Sequence, residues 1–304
     1  MKLYTFRAYD TDIYALEYNP IKEKIIVSSV GSYNRIPLTK IKHPWYEKNG
    51  YKPVASSNGM YFSFINKSDT VGLDYRDSGF VFGDTVKNDR FNELIYQDGE
   101  FIIDDIVASD IKVKYPKASW VSSLGYTLVI NGKKDIRKGD KFDHSNHPQP
   151  RTMIGQKKDG TILQVVTDGR TKDDKGLTCD QQAEIMLFLD CELAINADGG
   201  GSVELVINEN GVMTIVNNLV GGERPIPQAI MLYSKEDIVI EKVSINFVYP
   251  TVAVNYKLVG LNYLRDNGFI NDYDLWAKKL DEEAQNWLVF ELLKRIHEDL
   301  KNNK

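Results

Sequence analysis

A carboxylate, three glycines and a hydroxyl follow one another at Asp198-Gly199-Gly200-Gly201-Ser202. Glycine loses more backbone freedom on folding than any other residue, so three together between apolar strands need a reason. They permit positive φ and close approach to a ligand, and successive amides in such a turn form an anion-binding nest. A flexible linker is the competing reading, and the apolar strands on both sides weigh against it.

Charged residues stand at other turns. Arg151 begins an apolar hairpin and Asp168-Gly169-Arg170 ends it, so all three can share one edge of a sheet. Gly221-Gly222-Glu223-Arg224-Pro225 is a second glycine turn, bearing both charges, and Asn58-Gly59 precedes Tyr61-Phe62. Each has a plainer alternative: Asp-Gly is a common turn, Glu223 and Arg224 suit a surface ion pair, and Asn58-Gly59 reads as a type I′ turn. His144 and His147, with Asp143, offer metal-type ligands but no third partner, so they read as a solvated loop. Asp198 and Asp168 stand ahead of them for any cation, with calcium the hard ion they suit if one binds; no cofactor is required.

The elements that must position these residues are mostly strands. Residues 24–30, 53–57, 60–64 and 126–130 are rich in β-branched and aromatic residues, with a hairpin signal at Asn131-Gly132. Residues 152–156 and 161–167 make a hairpin about Asp159-Gly160. A helix is expected over 179–191, with Thr178 and Gln181 forming a capping box. Strands at 193–197, 203–207, 213–216 and 228–233 complete an α+β fold: a mixed or antiparallel sheet core with an inserted helix. Residues 1–250 form the main domain. A small C-terminal helical module is expected over 251–304, with Leu288, Val289, Leu292, Leu293 and Ile296 on one stripe.

A formal net charge of −5 without any basic run disfavours nucleic-acid polymers and anionic membranes as partners. Residues 1–7 lack the apolar run of an export signal, and no stretch is long enough to span a bilayer. The expectation is a soluble chain, cytoplasmic or phage-associated. Cys179 and Cys191, at opposite ends of the expected helix, would lie roughly 18 Å apart, too far for a disulfide.

Arg151-Thr152-Met153-Ile154-Gly155, Asp168-Gly169-Arg170, Asn196-Ala197-Asp198-Gly199-Gly200-Gly201-Ser202 and Glu223-Arg224-Pro225 occur in an order and spacing that resembles the phosphodiester glycosidase family. Asn58-Gly59-Met60-Tyr61-Phe62 resembles that family's upstream segment, and the resemblance covers residues 50–235. Two positions depart from it: Ala197 replaces Leu, and Glu204 replaces a small or hydroxylated residue, adding negative charge near the pocket. The 263–276 stretch resembles helical modules of phage and bacterial cell-wall enzymes, which points to a wall polymer or another phosphorylated sugar as partner.

The resemblance implies a hydrolase that cleaves the C1–O–P linkage of a sugar-1-phosphodiester. Arg151, Arg170 and Arg224 would hold phosphate, with Asn58, Gly199, Gly200, Gly201 and Ser202 completing the substrate site. Asp198 would face the sugar as nucleophile or base, with Asp168 or Glu223 as its partner. Two alternatives stay open: a phosphodiesterase attacking phosphorus of a nucleotide-sugar-like molecule, and a non-catalytic phage or cell-wall glycan binder.

Overall fold

The computed structural model describes residues 1–20, 24–29, 35–62, 72–76, 81–82, 90–139, 142 and 144–249. The chain divides into Met1–Val248 and Tyr249–Lys304. The helical module expected over 251–304 lies outside the described residues, as does Asp143.

The first unit is α+β, with three sheets. The largest has eight strands, in the order Lys133–Lys134, Thr127–Ile130, Cys191–Asn196, Thr152–Lys157, Ile162–Thr167, Thr11–Tyr18, Lys2–Ala8 and Glu241–Tyr249. A five-stranded sheet runs Val212–Ile215, Leu205–Glu209, Lys52–Asn58, Gln228–Ser234, Lys24–Ser29. The third runs Val81–Phe82, Asp74–Arg76, Ala118–Ser123, Glu93–Gln97, Glu100–Asp104. Every strand pairing for which a register is described is antiparallel.

The central hairpin owes its register to its turn. Gly160 takes φ +87° and donates to the Lys157 carbonyl at 3.0 Å, so the loop spans three residues and closes on the Lys157–Thr161 pair. Ile154, Ile162 and Val166 then share a core with Leu205, Ile207, Ile230 and Leu232 of the five-stranded sheet. Burying each such side chain stabilises by about 1.5–3 kcal/mol, which fixes these two sheets face to face.

The helix Cys179–Phe188 packs near the other face of the large sheet. Its capping box forms as expected: the Thr178 hydroxyl accepts from the Gln181 N–H at 3.3 Å, and the Gln181 side chain accepts from the Thr178 N–H at 2.9 Å. Close approach needs Gly155, because a Cβ there would meet Met186 Cε at 2.6 Å and Cys191 Sγ at 2.8 Å. The helix is shorter than the expected 179–191. Asp190 turns the chain at φ +64°, and Cys191 opens the next strand. Both cysteines are buried and free.

Two further local expectations change. The Lys52–Asn58 strand ends at Asn58, and residues 60–62 are not strand. Neither Asn58 nor Gly59 has positive φ, so no type I′ turn forms there. Instead Gly59 N–H donates to the Gln228 carbonyl at 3.1 Å, and Met60 N–H to the Gln228 side chain at 3.0 Å. Those bonds carry the chain off the sheet edge, leaving the Asn58 side chain for another task.

Candidate active site

Antiparallel pairing brings the start of Thr152–Lys157, the end of Ile162–Thr167 and the end of Cys191–Asn196 to one end of the large sheet. Met153 lies opposite Asn196, and Thr167 N–H donates to the Arg151 carbonyl at 2.9 Å. Asn58 ties this end to the five-stranded sheet. Its Nδ2 donates to the Asp198 carbonyl at 2.7 Å, and its Oδ1 accepts from the Thr152 hydroxyl at 2.6 Å and the Glu204 N–H at 3.1 Å. These three bonds use both ends of the Asn58 amide to position the loop.

The three glycines each face one guanidinium. A Cβ added to Gly199 would lie 3.7 Å from Arg151 Nη1, and one added to Gly200 would lie 2.9 Å from Arg170 Nη2. One added to Gly201 would overlap Arg224 Nη2. Gly200 also requires φ +65°. A side chain at Gly200 or Gly201 would push the Arg170 or Arg224 guanidinium away, whereas at Gly199 a Cβ would meet Arg151 only at ordinary contact distance.

Those cations are held differently. Arg151 is fully buried and donates to backbone carbonyls: Leu177 at 2.8 Å, His144 at 2.8 Å and His147 at 2.9 Å. Its Nη1 has no hydrogen-bond partner among the described residues. A buried guanidinium cradled by carbonyls, with one N–H set unspent, is a cation in want of an anion. Arg170 sits at φ +61°, is exposed, and donates from Nε to Gln149 at 2.6 Å. Arg224 Nη1 reaches the Ser202 hydroxyl at 3.4 Å.

Asp198 lies beside them, almost wholly buried. Its Oδ1 accepts from the Gly199 N–H at 2.9 Å. Burial pushes the carboxyl up to about 7, against the opposing pull of a hydrogen bond with Ser202, the Gly199 N–H and the charge of Arg224. Near neutral pH it can therefore both take and release a proton. Desolvation, then the Tyr126 and Asp198 charges, raise the phenol of half-buried Tyr61, whose oxygen accepts from Asn196 Nδ2 at 2.7 Å.

The other two expected carboxylates are engaged elsewhere. Asp168 Oδ1 accepts from the Asn218 N–H at 2.8 Å, and Oδ2 from Asn218 Nδ2 at 2.7 Å and the Tyr14 hydroxyl at 3.1 Å. It groups with Asp12 and Asp174 within 4.8 Å, an arrangement that could receive a cation. Arg7 already lies 2.7 Å from Asp12 and 3.1 Å from Asp174, so much of that charge is met by the protein. Glu223 Oε1 accepts from the Thr39 N–H at 2.8 Å and hydroxyl at 2.7 Å. It also contacts buried Glu204, whose carboxyl is pushed up to about 8 by burial and then by the Glu223 charge. The backbone of His144 and His147 serves Arg151.

Glu204 stands near the pocket as the sequence led one to expect, but Tyr14, Thr39 and Asn218 escaped the sequence reading as partners of these groups. Tyr14 sits in an apolar alternating strand, Thr39 in a short 3-10 helix and Asn218 in a loop, and no short spacing ties them to the motifs. Pro150, Arg170, Gly200, Gly201, Val203, Asn218, Leu219 and Val220 enclose a cavity of about 10 Å³, room for one water.

A family model for phosphodiester glycosidases matches residues 51–233. The chain belongs to the phosphodiester glycosidase family. The match spans the glycine loop, all three arginines and Asp198. An uncharacterized SPbeta prophage-derived protein, YomE, from Bacillus subtilis strain 168 is 24% identical over 183 residues, which are 60% of this chain and 27% of that protein. The chain thus matches only about a quarter of that relative's length. The fold is similar to the zebrafish N-acetylglucosamine-1-phosphodiester α-N-acetylglucosaminidase catalytic domain auto-inhibited by its pro-peptide. That similarity has a TM-score of 0.56 at 18% identity, over 73% of this chain and 76% of the other. A hypothetical protein from Synechocystis aligns with a TM-score of 0.47 at 12% identity, over 74% of this chain and 59% of that one. Among the described residues, no helix is long and apolar enough to cross a membrane.

Proposed function

We propose that this phosphodiester glycosidase hydrolyses the C1–O bond of a sugar-1-phosphodiester. The observation that carries the reading is the placement of Arg151, Arg170 and Arg224 against Gly199, Gly200 and Gly201, directly beside the Asp198 carboxyl. A phosphodiester at the glycine loop would bring a negative charge close to Arg151, whose Nη1 is unspent but buried, so the direct contacts fall to Arg170 and Arg224. The exposed guanidinium of Arg170 closes over it from the solvent side.

In this mechanism the sugar C1–O bond breaks and its electron pair stays on the phosphate oxygen. The arginines offset the negative charge that grows there, so the leaving group needs little protonation. Water adds to the electron-poor C1, and its proton passes to the ionised Asp198 carboxylate. With a proton affinity near neutrality, Asp198 suits that exchange and then returns the proton to solvent. Ser202, bridging Arg224 and Asp198, keeps the carboxyl oriented. A sugar needs far more room than the small cavity beside Arg170 provides, so substrate entry requires the Asn218–Val220 segment to move outward.

Incubation in ¹⁸O-water with a panel of sugar-1-phosphodiesters, nucleotide sugars and teichoic-acid fragments tests the reading. Label is expected in the released sugar. Label in the phosphate would mean attack on phosphorus and would overturn it. Absence of turnover across the panel, together with sugar binding at Asp198, would favour a binder.

A further inference from the structure

A second cleft, of about 790 Å³, lies between the Pro44–Lys48 turn of helix and the third sheet. It shares no lining residue with the cavity beside Arg170. Its volume falls within the roughly 300–1,000 Å³ usual for small-ligand sites.

Aromatic rings wall it. On one side Tyr46 stacks on Tyr233 at 5.4 Å and 30°, and takes edge contacts from Trp45 at 5.0 Å and Tyr51 at 5.2 Å. On the other, Trp120 stacks on Tyr96 at 5.5 Å and 22°, its indole N–H spent on the Ile25 carbonyl. The walls are therefore rigid, whereas Trp45 is 59% exposed and presents its ring to solvent. An indole left that exposed on a short helix gains little for the fold.

Polar groups of both kinds stand among the rings. His43 Nδ1 is buried with no hydrogen-bond partner among the described residues. Burial and the nearby Arg76 charge hold this imidazole below its ordinary range. Arg76 and Lys24 add donors, and Asp98 adds an acceptor. Arg76 also donates to Asp74 and Asp98 accepts from Lys117, so a ligand with hydroxyls meets polar groups that are already oriented. A pyranose ring suits both features, since its C–H face lies flat on an aromatic ring while its hydroxyls donate and accept around the rim.

We infer that this cleft is a carbohydrate-binding site, separate from the cavity beside Arg170, with Trp45 as its stacking platform and Lys24, Arg76 and Asp98 as the polar groups that meet its hydroxyls. Its occupant is a short neutral oligosaccharide segment. Binding there needs no bond cleavage, so it stands or falls apart from the hydrolytic reading.

Calorimetric titration of the full chain with N-acetylchitotetraose, cellotetraose and maltotetraose provides the test. At least one is expected to bind with a dissociation constant of about 1 mM or tighter. Trp45→Ala is expected to weaken it at least about tenfold, with circular dichroism unchanged. Asp198→Asn should bind the same sugar as the parent does. No binding by any of the three sugars, or binding indifferent to Trp45→Ala, would overturn the inference. So would binding lost in Asp198→Asn, which would place the sugar in the other pocket. If Trp45-dependent binding persists while no sugar-1-phosphodiester is cleaved, only the catalytic reading falls.

Discussion

The Asn58 side chain donates to the main-chain carbonyl of Asp198 at 2.7 Å, fastening the end of one sheet to the loop that carries the candidate carboxylate. Its Oδ1 holds Thr152 and Glu204 at the same time. Asn58→Ala would leave these buried groups unpaired, each at about 1–3 kcal/mol. Thermal melting should show a fall of at least about 5 °C, given roughly 2–4 °C per kcal/mol for a domain of this size. An unchanged melting temperature would mean that the two sheets do not depend on this amide.

Asp198→Asn keeps the size of the side chain and removes its charge. Turnover is expected to fall at least about a hundredfold, because the developing charge at the sugar loses its counterpart. Stability should not fall, since ionising a carboxyl whose burial pushes it up to about 7 costs the native state free energy above that pH. Steady-state rates and melts at pH 8 check both halves.

The arginines should separate by burial. Arg170 is exposed and bonded to Gln149, so Arg170→Ala should change stability by no more than about 0.5 kcal/mol. Its cost should appear in turnover, roughly ten- to a hundredfold, as expected for losing a hydrogen bond to a charged group. Arg151→Ala should lower both turnover and melting temperature, because it also deserts the carbonyls of Leu177, His144 and His147. Equal effects of the two variants on stability would contradict the division.

Glu204 should make the protein less stable as pH rises. Its native carboxyl is pushed up to about 8, above the ordinary unfolded value near ~4.3. Across that window the native state keeps a proton that the unfolded chain has lost, so unfolding free energy falls with pH, at most about 1.4 kcal/mol per unit. Glu204→Gln keeps a neutral side chain at every pH. Its advantage in melting temperature over the parent should therefore grow from pH 5 to pH 8.5. A difference that stays flat across that range would show that the native Glu204 carboxyl is not raised.

Much of the architecture was legible in local chemistry. The Thr178–Gln181 capping box, the apolar hairpin on Asp159-Gly160 and the unbroken glycine loop each encode their geometry within a few residues. The hairpin of Lys2–Ala8 with Thr11–Tyr18 was not legible in the same way. It turns on Tyr9 and Asp10, both at positive φ, where no Asn-Gly or Asp-Gly pair signals a turn. Packing of the flanking strands into the large sheet holds that strained turn.

The sequence by itself determined an α+β chain with three arginines at turns and a carboxylate ahead of a glycine nest. Those follow from residue type and short-range spacing, which survive in a linear string. Tertiary structure alone decided how each carboxylate is held: the one at the glycine loop by the neighbouring Gly199 and Ser202 and the charge of Arg224. Asp168 is consumed by Asn218 and Tyr14, and Glu223 by Thr39 and Glu204, partners up to 184 residues away in the chain. A carboxylate's proton affinity depends on water excluded and donors supplied by such distant segments, and spacing along the chain carries neither quantity.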